Sequence, residues 1–341
     1  MSLRVEPFSG EAGEWDALVE REEGTHFHRF GWKGVFERAL GHQCLYLAAR
    51  SEHGGLAGVL PLVRVRSLVF GHYLVSVPFV NYGGPLGSDE AVRLLSSWAA
   101  DRARRDGVKL LELRSRGPLP IDLPVSHRKI TVVLDLPTGG PDALMKQFEA
   151  KLRSQVRRPA KEGIEVRFGA DQVEPFFQVF SRHMRDLGTP TMPSRFFGEI
   201  ARVFPDAWFG CAWLGDVPVA AGAGFAWGRE FEMTWASSLH EYNRLSPNMG
   251  LYFAFMRRAM EQGLTLFNFG RCSPGSGTHR FKSQWGSRDE QLHWYQATPD
   301  GSPAATPSPD AGAFSHGPRV WRKLPLGLAT WLGPRIVRFI P

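Results

Sequence analysis

The residues best suited to chemistry gather between Asn268 and Gly286, where Arg271, Arg280 and Lys282 stand beside Phe281 and Trp285 after a stretch dense in Gly and Ser. A surface loop rarely spends two large aromatics next to three cations unless the charges must be held in place. Cys272 and His279 lie in the same stretch, but no nucleophile motif ties them together. A second candidate runs from Asn243 to Gly250, a loop that leads into a helix. The unpaired N–H groups and dipole of a helix start favour an anion. Ser246 is the expected N-cap, Pro247 suits the first helical position, and Arg244 adds a cation, although a well-capped structural helix with an incidental arginine fits the same residues. The third candidate is Pro78 to Pro85, where the paired Gly83 and Gly84 permit a tight turn or a close approach to a ligand. Tyr82 and Phe79 would form an apolar wall there, although a plain turn fits the same pattern. His26 and His28 precede a helix, but two histidines at that spacing do not make a zinc site, and no metal ligand set is expected. There is no Gly-x-Ser-x-Gly elbow, Walker phosphate loop or dinucleotide fingerprint.

The elements that must carry these residues occur twice. Two helical patterns between Glu11 and Leu40 precede a hairpin of Cys44 to Ala49 with Ala57 to Val65, a strand from Tyr73 to Val80, a helix from Ser88 to Arg105 and a strand from Leu110 to Leu113 that ends in Arg114. The order returns with helices over Val173 to Leu187 and Ser194 to Phe204, strands over Trp208 to Trp213, Val217 to Ala226 and Phe231 to Ser237, a helix from Asn248 to Gln262, and a last strand from Leu264 to Phe269. Arg271 then falls where Arg114 fell. Such self-similarity points to duplication. The expected fold class is α/β (α+β), with a first domain over 1–125, a second over 126–297 that carries the transfer-site segment, a flexible linker over 298–317 and a basic apolar tail over 318–341. Between the opening strand of the second half, Ile130 to Leu134, and its helices, Pro141 to Glu162 reads as a basic helix with Phe148, Leu152 and Val156 on its buried stripe, and Pro159 is expected to end or kink it near Arg157. Its cations could steer a polyanion or simply be a solvated face.

A formal net charge of +7 suggests an anionic partner without choosing among nucleic acid, phosphorylated substrate, thioester cofactor and acidic membrane. Three cysteines with no paired spacing, an N-terminus without a long apolar run, and no apolar stretch of about 20 residues read as a cytoplasmic protein of a reducing compartment. The tail mixes Arg319, Arg322, Lys323, Arg335 and Arg338 with Trp321, Leu328 and Trp331 and has no acid. It suits either the surface of an anionic membrane or an arm packed on the protein itself.

Together, Trp235-Ala236-Ser237-Ser238, Tyr242-Asn243-Arg244, Pro247-Asn248, Asn268-Phe269-Gly270-Arg271-Cys272 and the run from Gly275 through Phe281-Lys282 to Gln284-Trp285-Gly286 resemble the Fem-type peptidoglycan aminoacyltransferases. Tyr82-Gly83-Gly84-Pro85 and Lys151 to Arg158 are similar as well. The resemblance is strongest to the FemAB-like branch associated with PEP-CTERM/exosortase and exopolysaccharide loci. It implies two tandem GNAT-like domains and transfer of an acyl or aminoacyl group onto an amine of a cell-envelope or glycan precursor. The donor would be aminoacyl-tRNA or acyl-CoA, with no tightly bound cofactor. It implies Lys282, in the Phe-Lys pair, as the transfer-site residue, with Arg280 or Arg271 holding a phosphate or carboxylate, and substrate in a cleft bounded by Tyr82 to Pro85, Arg244 to Asn248 and Arg271 to Lys282. The Gly-rich pyrophosphate loop of ordinary GNAT enzymes is not reproduced in Arg244 to Gly250.

Overall fold

Runs of β-branched and aromatic residues punctuated by Gly turns build two mixed sheets, one in each of two units. The computed structural model describes residues 2–67, 71–298 and 317–340; most of the expected linker lies outside them. The elements of the first half are β1 (Leu3–Pro7), α1 (Ala12–Arg21), α2 (Gly31–Val35), β2 (Gln43–Ser51), β3 (Leu56–Ser67), β4 (Gly71–Ser76), β5 (Leu86–Gly87), α3 (Asp89–Arg105), β6 (Leu110–Ser115) and β7 (Val125–Ser126). There follow β8 (Ile130–Asp135), α4 (Gly140–Gln147), α5 (Ala150–Lys161), β9 (Ile164–Phe168), α6 (Val173–Leu187), α7 (Ser194–Val203), β10 (Ala207–Leu214), β11 (Val217–Trp227) and β12 (Glu230–Ser238). The chain continues through α8 (Pro247–Glu261), β13 (Leu266–Cys272), α9 (Gly277–Ser283), β14 (Arg288–Gln291), β15 (His293–Ala297), α10 (Gly317–Trp321) and α11 (Leu326–Val337).

The first sheet runs β1-β2-β3-β4-β6-β15-β7 and the second β14-β8-β13-β12-β11-β10-β9. Each contains an antiparallel series that gives way to one parallel pair, β4 with β6 (Tyr73 opposite Leu110) and β12 with β13 (Glu230 opposite Leu266). A parallel pair requires a crossover helix, which α3 supplies in one unit and α8 in the other. The duplicated order is therefore a duplicated topology. The strand β15 is placed in the first sheet, pairing with β6 from His293 opposite Ser115 to Ala297 opposite Leu111.

Capping explains where α3 starts, since Ser88 Oγ accepts the Ala91 N–H and Asp89 and Glu90 fill the first turn. At α8 the expectation fails: Ser246 has φ +56° and its side chain makes no cap hydrogen bond, although Pro247 does open the helix. The short 3₁₀ turn over His240–Leu245 delivers the chain to Ser246 in a left-handed conformation, unlike the extended backbone of a usual N-cap. The single basic helix is corrected as well. Phe148 is extended, with its ring buried against Phe253 and Trp285, so the segment breaks into α4 and α5. Pro159 does not stop α5, which runs on to Lys161; its ring packs onto Gly250, the point of α8 where a Cβ would come within 3.0 Å of it. In the second unit a dense aromatic core of Phe231, Phe255, Phe267 and Trp208 joins α8 to the sheet.

Candidate functional site

The segment expected to be a surface loop is instead the end of a strand, a turn and a short buried-faced helix. Arg271 and Cys272 are the last residues of β13. Gly275 turns at φ +73°, and Ser276 caps α9 by accepting the His279 N–H at 3.1 Å. His279 secures the turn from the other side, its Nδ1 accepting the Gly275 N–H at 2.9 Å while Nε2 meets Asp289 at 3.0 Å. This leaves His279 as a positioning group of the turn. Helical spacing then puts Phe281 and Trp285 on one face, where they join Tyr252 of α8 (5.1 Å from Phe281 by ring centroids) and Phe269 of β13. Trp285 is only 1% exposed, and its indole N–H has no hydrogen-bond partner among the described residues.

Lys282 points back from α9 at the end of β13. Its side chain is buried, with the residue 3% exposed, and Nζ donates to the carbonyls of Gly270 at 2.6 Å and Arg271 at 2.9 Å. Gly270, at φ +72°, directs its carbonyl there, and Asn268 holds that bend: its Oδ1 accepts the Gly270 N–H at 2.8 Å and the Thr131 hydroxyl at 2.6 Å, and its Nδ2 donates to Glu230 at 3.0 Å. Burial pushes the Lys282 ammonium down to about 8, with Cys272 and Glu232 opposing the shift and Arg271 adding to it. An ammonium has three N–H donors and two are spent on carbonyls, so one is unspent among the described residues.

The other expected residues fall in different places. Arg271 is half-buried at the strand end, whereas Arg280 is exposed and, among the described residues, donates only to its own turn, Gly275 O, at 3.3 Å. Asn248 is half-buried in the first turn of α8, its Oδ1 without a hydrogen-bond partner among the described residues; the adjacent Met249 Sδ lies 4.0 Å from Gln284 just past α9, so the helix start and the Phe-Lys segment meet. Arg244 is exposed on the 3₁₀ turn.

Tyr82, Gly83 and Gly84 belong to the first unit. Tyr82 is buried against Phe27 and under the Arg116 guanidinium. A Cβ on Gly84 would sit 2.8 Å from the Arg114 carbonyl, and Gly83 donates to that same carbonyl at 3.1 Å, so the glycine pair permits a close backbone approach to β6. Arg114 itself is spent inside the unit: it is buried, paired with Glu112 at 2.6 Å, bound to Val80 O and stacked on Trp294 at 4.5 Å. His26 and His28 are buried there too, and burial lowers His28 to about 4 while its Nε2 contacts Gly84 O at 3.1 Å. Sequence reasoning did not single out Asn268, Thr131, Glu230 or Glu232 as site-building residues. The signal available for two of them was a polar residue inside an apolar strand, Asn268 in Leu-Phe-Asn-Phe and Glu232 in Phe-Glu-Met.

The profile of the family described as acetyltransferase (GNAT) domain matches residues 146–283, which contain α8, β13 and all of α9. No curated protein sequence matches. Among solved structures, FemX is similar with 15% identity and a TM-score of 0.62, over 86% of this chain and 97% of that one. L-PGS from Bacillus licheniformis has 13% identity and a TM-score of 0.55, over 96% and 97%. A tandem GNAT protein from the clavulanic acid biosynthesis pathway has 13% identity and a TM-score of 0.51, over 89% and 100%. At such identities the likeness is one of fold, and the fold is two tandem GNAT-like domains.

Proposed function

We propose that the chain, whose residues 146–283 match the GNAT acetyltransferase profile and whose fold is like that of FemX, is an acyltransferase that moves an acyl or aminoacyl group onto an amine of a cell-envelope or exopolysaccharide precursor, with Lys282 at the transfer site. The buried Lys282 ammonium, anchored by two carbonyls with one N–H unspent, is the observation that supports this most. In the reaction the acceptor nitrogen attacks the carbonyl carbon of an ester or thioester, and charge builds on the carbonyl oxygen. The third Lys282 N–H meets that oxygen. Collapse then breaks the C–O or C–S bond, the donor leaves as hydroxyl or thiol, and the proton shed by the acceptor nitrogen balances it. A fixed donor at the oxyanion is worth about 3 kcal/mol. Arg271, at the end of the same strand, is the partner proposed for a phosphate or carboxylate of the substrate; Arg280, being exposed, would act only at the rim.

Acyl-CoA and aminoacyl-tRNA are the two donors to separate. A candidate amine incubated with each in parallel and read by mass spectrometry should gain one acyl mass from one of them. Saturable binding of the precursor with no covalent product from either would instead favour a non-catalytic module that holds an anionic glycan or lipid-linked precursor. We further propose peripheral membrane contact through α10 and α11, at the inner face of the membrane. One side of these helices packs on α6 and on Thr191, facing Ala329 and Gly333 inward. The other exposes Val320, Leu328 and Trp331 among Arg319, Arg322, Lys323 and Arg335. Among the described residues no helix is long and apolar enough to cross a membrane.

A further inference from the structure

An open surface depression of about 340 Å3 lies between α4 and α5, lined by the exposed Asp142, Lys146 and Arg157 and the half-buried Met145 and Arg153. Asp142, Met145 and Lys146 share one face of α4, and Arg153 and Arg157 share one face of α5, so the two helices turn these faces toward a single space. Three cations meet one carboxylate there. None of Lys146, Arg153 or Arg157 forms an ion pair among the described residues, whereas Arg158, one position away on α5, is paired with Glu162. Like charges left together repel, and an anion between them turns that repulsion into attraction.

Arg153 is also held in place, its Nη1 donating to Phe148 O at 2.5 Å. Phe148 stands at the break between the helices, and its ring packs edge-on against Trp285, 5.4 Å away by centroids. Trp285 follows Lys282 by three residues, so the depression and the Lys282 helix are joined through one aromatic contact within the second unit. The loop that enters α8 carries no Gly-rich phosphate cradle, and its Ser246 makes no cap hydrogen bond.

We infer that this depression binds the diphosphate group of an organic phosphate. Two guanidiniums can each engage a pair of oxygens, and the lysine adds a point charge. All three cations line the one depression, a single short site that suits adjacent phosphates better than the spaced phosphates of an RNA strand. The inference goes beyond the proposed transfer and deepens it: the bound group would be the phosphate end of the acyl donor or of the acceptor, whose shared chemistry is a diphosphate ester.

Isothermal titration of the full-length protein at low salt tests it, first with inorganic diphosphate and then with coenzyme A and UDP-N-acetylglucosamine. Saturable diphosphate binding is expected, weakened about tenfold or more in the Arg153→Gln/Arg157→Gln variant. A Lys151→Gln/Lys161→Gln variant, which removes the same charge elsewhere on α5, should change it by less than about twofold. Binding of coenzyme A alone assigns the site to the donor, binding of the UDP-sugar alone assigns it to the acceptor, and binding of both leaves the diphosphate inference standing for either. Absence of saturable binding, equal weakening in both variants, no weakening in the first, or binding of inorganic diphosphate but neither organic ligand overturns the inference. Should the double variant unfold, Lys146→Gln, on an exposed side chain, replaces it with weakening of about threefold as the criterion. Lys282→Ala should bind diphosphate like the parent, so a failed transfer assay and a failed binding assay remain distinct.

Discussion

At the scale of residues, Lys282 differs from Arg271 and Arg280 in what surrounds it. All three are cations of one short segment, yet only Lys282 is both buried and tied to backbone carbonyls on a neighbouring strand. Replacing it with Ala is expected to lower kcat about 100-fold with little effect on KM, the loss of one oxyanion donor, and Lys282→Met should do the same while retaining the volume. Because the working form is the ammonium, kcat should fall as pH rises through about 8, and the residual activity of Lys282→Met should lack that limb. A rate that instead climbs through that pH in the parent alone would make the neutral amine the working species and Lys282 a base.

At the scale of elements, the geometry of Lys282 depends on a helix of seven residues that could not stand alone. Its stability comes from the Ser276 cap and from the packing of Phe281 and Trp285 on Tyr252 and Phe269. Ser276→Ala should cost about 1 kcal/mol by denaturant titration, and kcat should drop more than the fraction folded does, since the last turn positions Nζ. The strand end matters equally. Gly270→Ala puts a Cβ at φ +72° and is expected to cost about 1–2 kcal/mol and to displace one of the two carbonyls that hold the ammonium.

At the scale of the whole molecule, two effects should be measurable without knowing the substrate. Lys282 has a folded value near 8 against an ordinary 10.5, so between these the unfolded chain binds more protons than the folded one. Stability should therefore rise with pH from about 8 toward 10.5, and the rise should be smaller in Lys282→Met, as read by urea midpoints at each pH. The tail offers the second. Trp331 is 56% exposed, so Leu328→Ser with Trp331→Ala should leave the melting temperature unchanged and reduce flotation with anionic liposomes severalfold. Unreduced flotation would remove the tail as the membrane contact.

The tandem arrangement was legible in the chain because helix and strand periods repeat and Gly residues punctuate them in the same order in both halves. The importance of Phe281-Lys282 was legible through the company it keeps. Burial of Lys282 and the break at Phe148 were not, because each is set by partners outside its own element: Gly270 and Arg271 for the lysine and Trp285 for the phenylalanine; nor was the left-handed Ser246, whose Ser-Pro pattern matches a normal cap while the 3₁₀ turn before it imposes another backbone conformation. Local pattern cannot tell a cation on a solvated helix face from one enclosed by a strand end. By itself the sequence determined which elements form and in what order; the tertiary structure decided which charges lose their water, and desolvation is what makes a lysine chemically distinct from the arginines beside it.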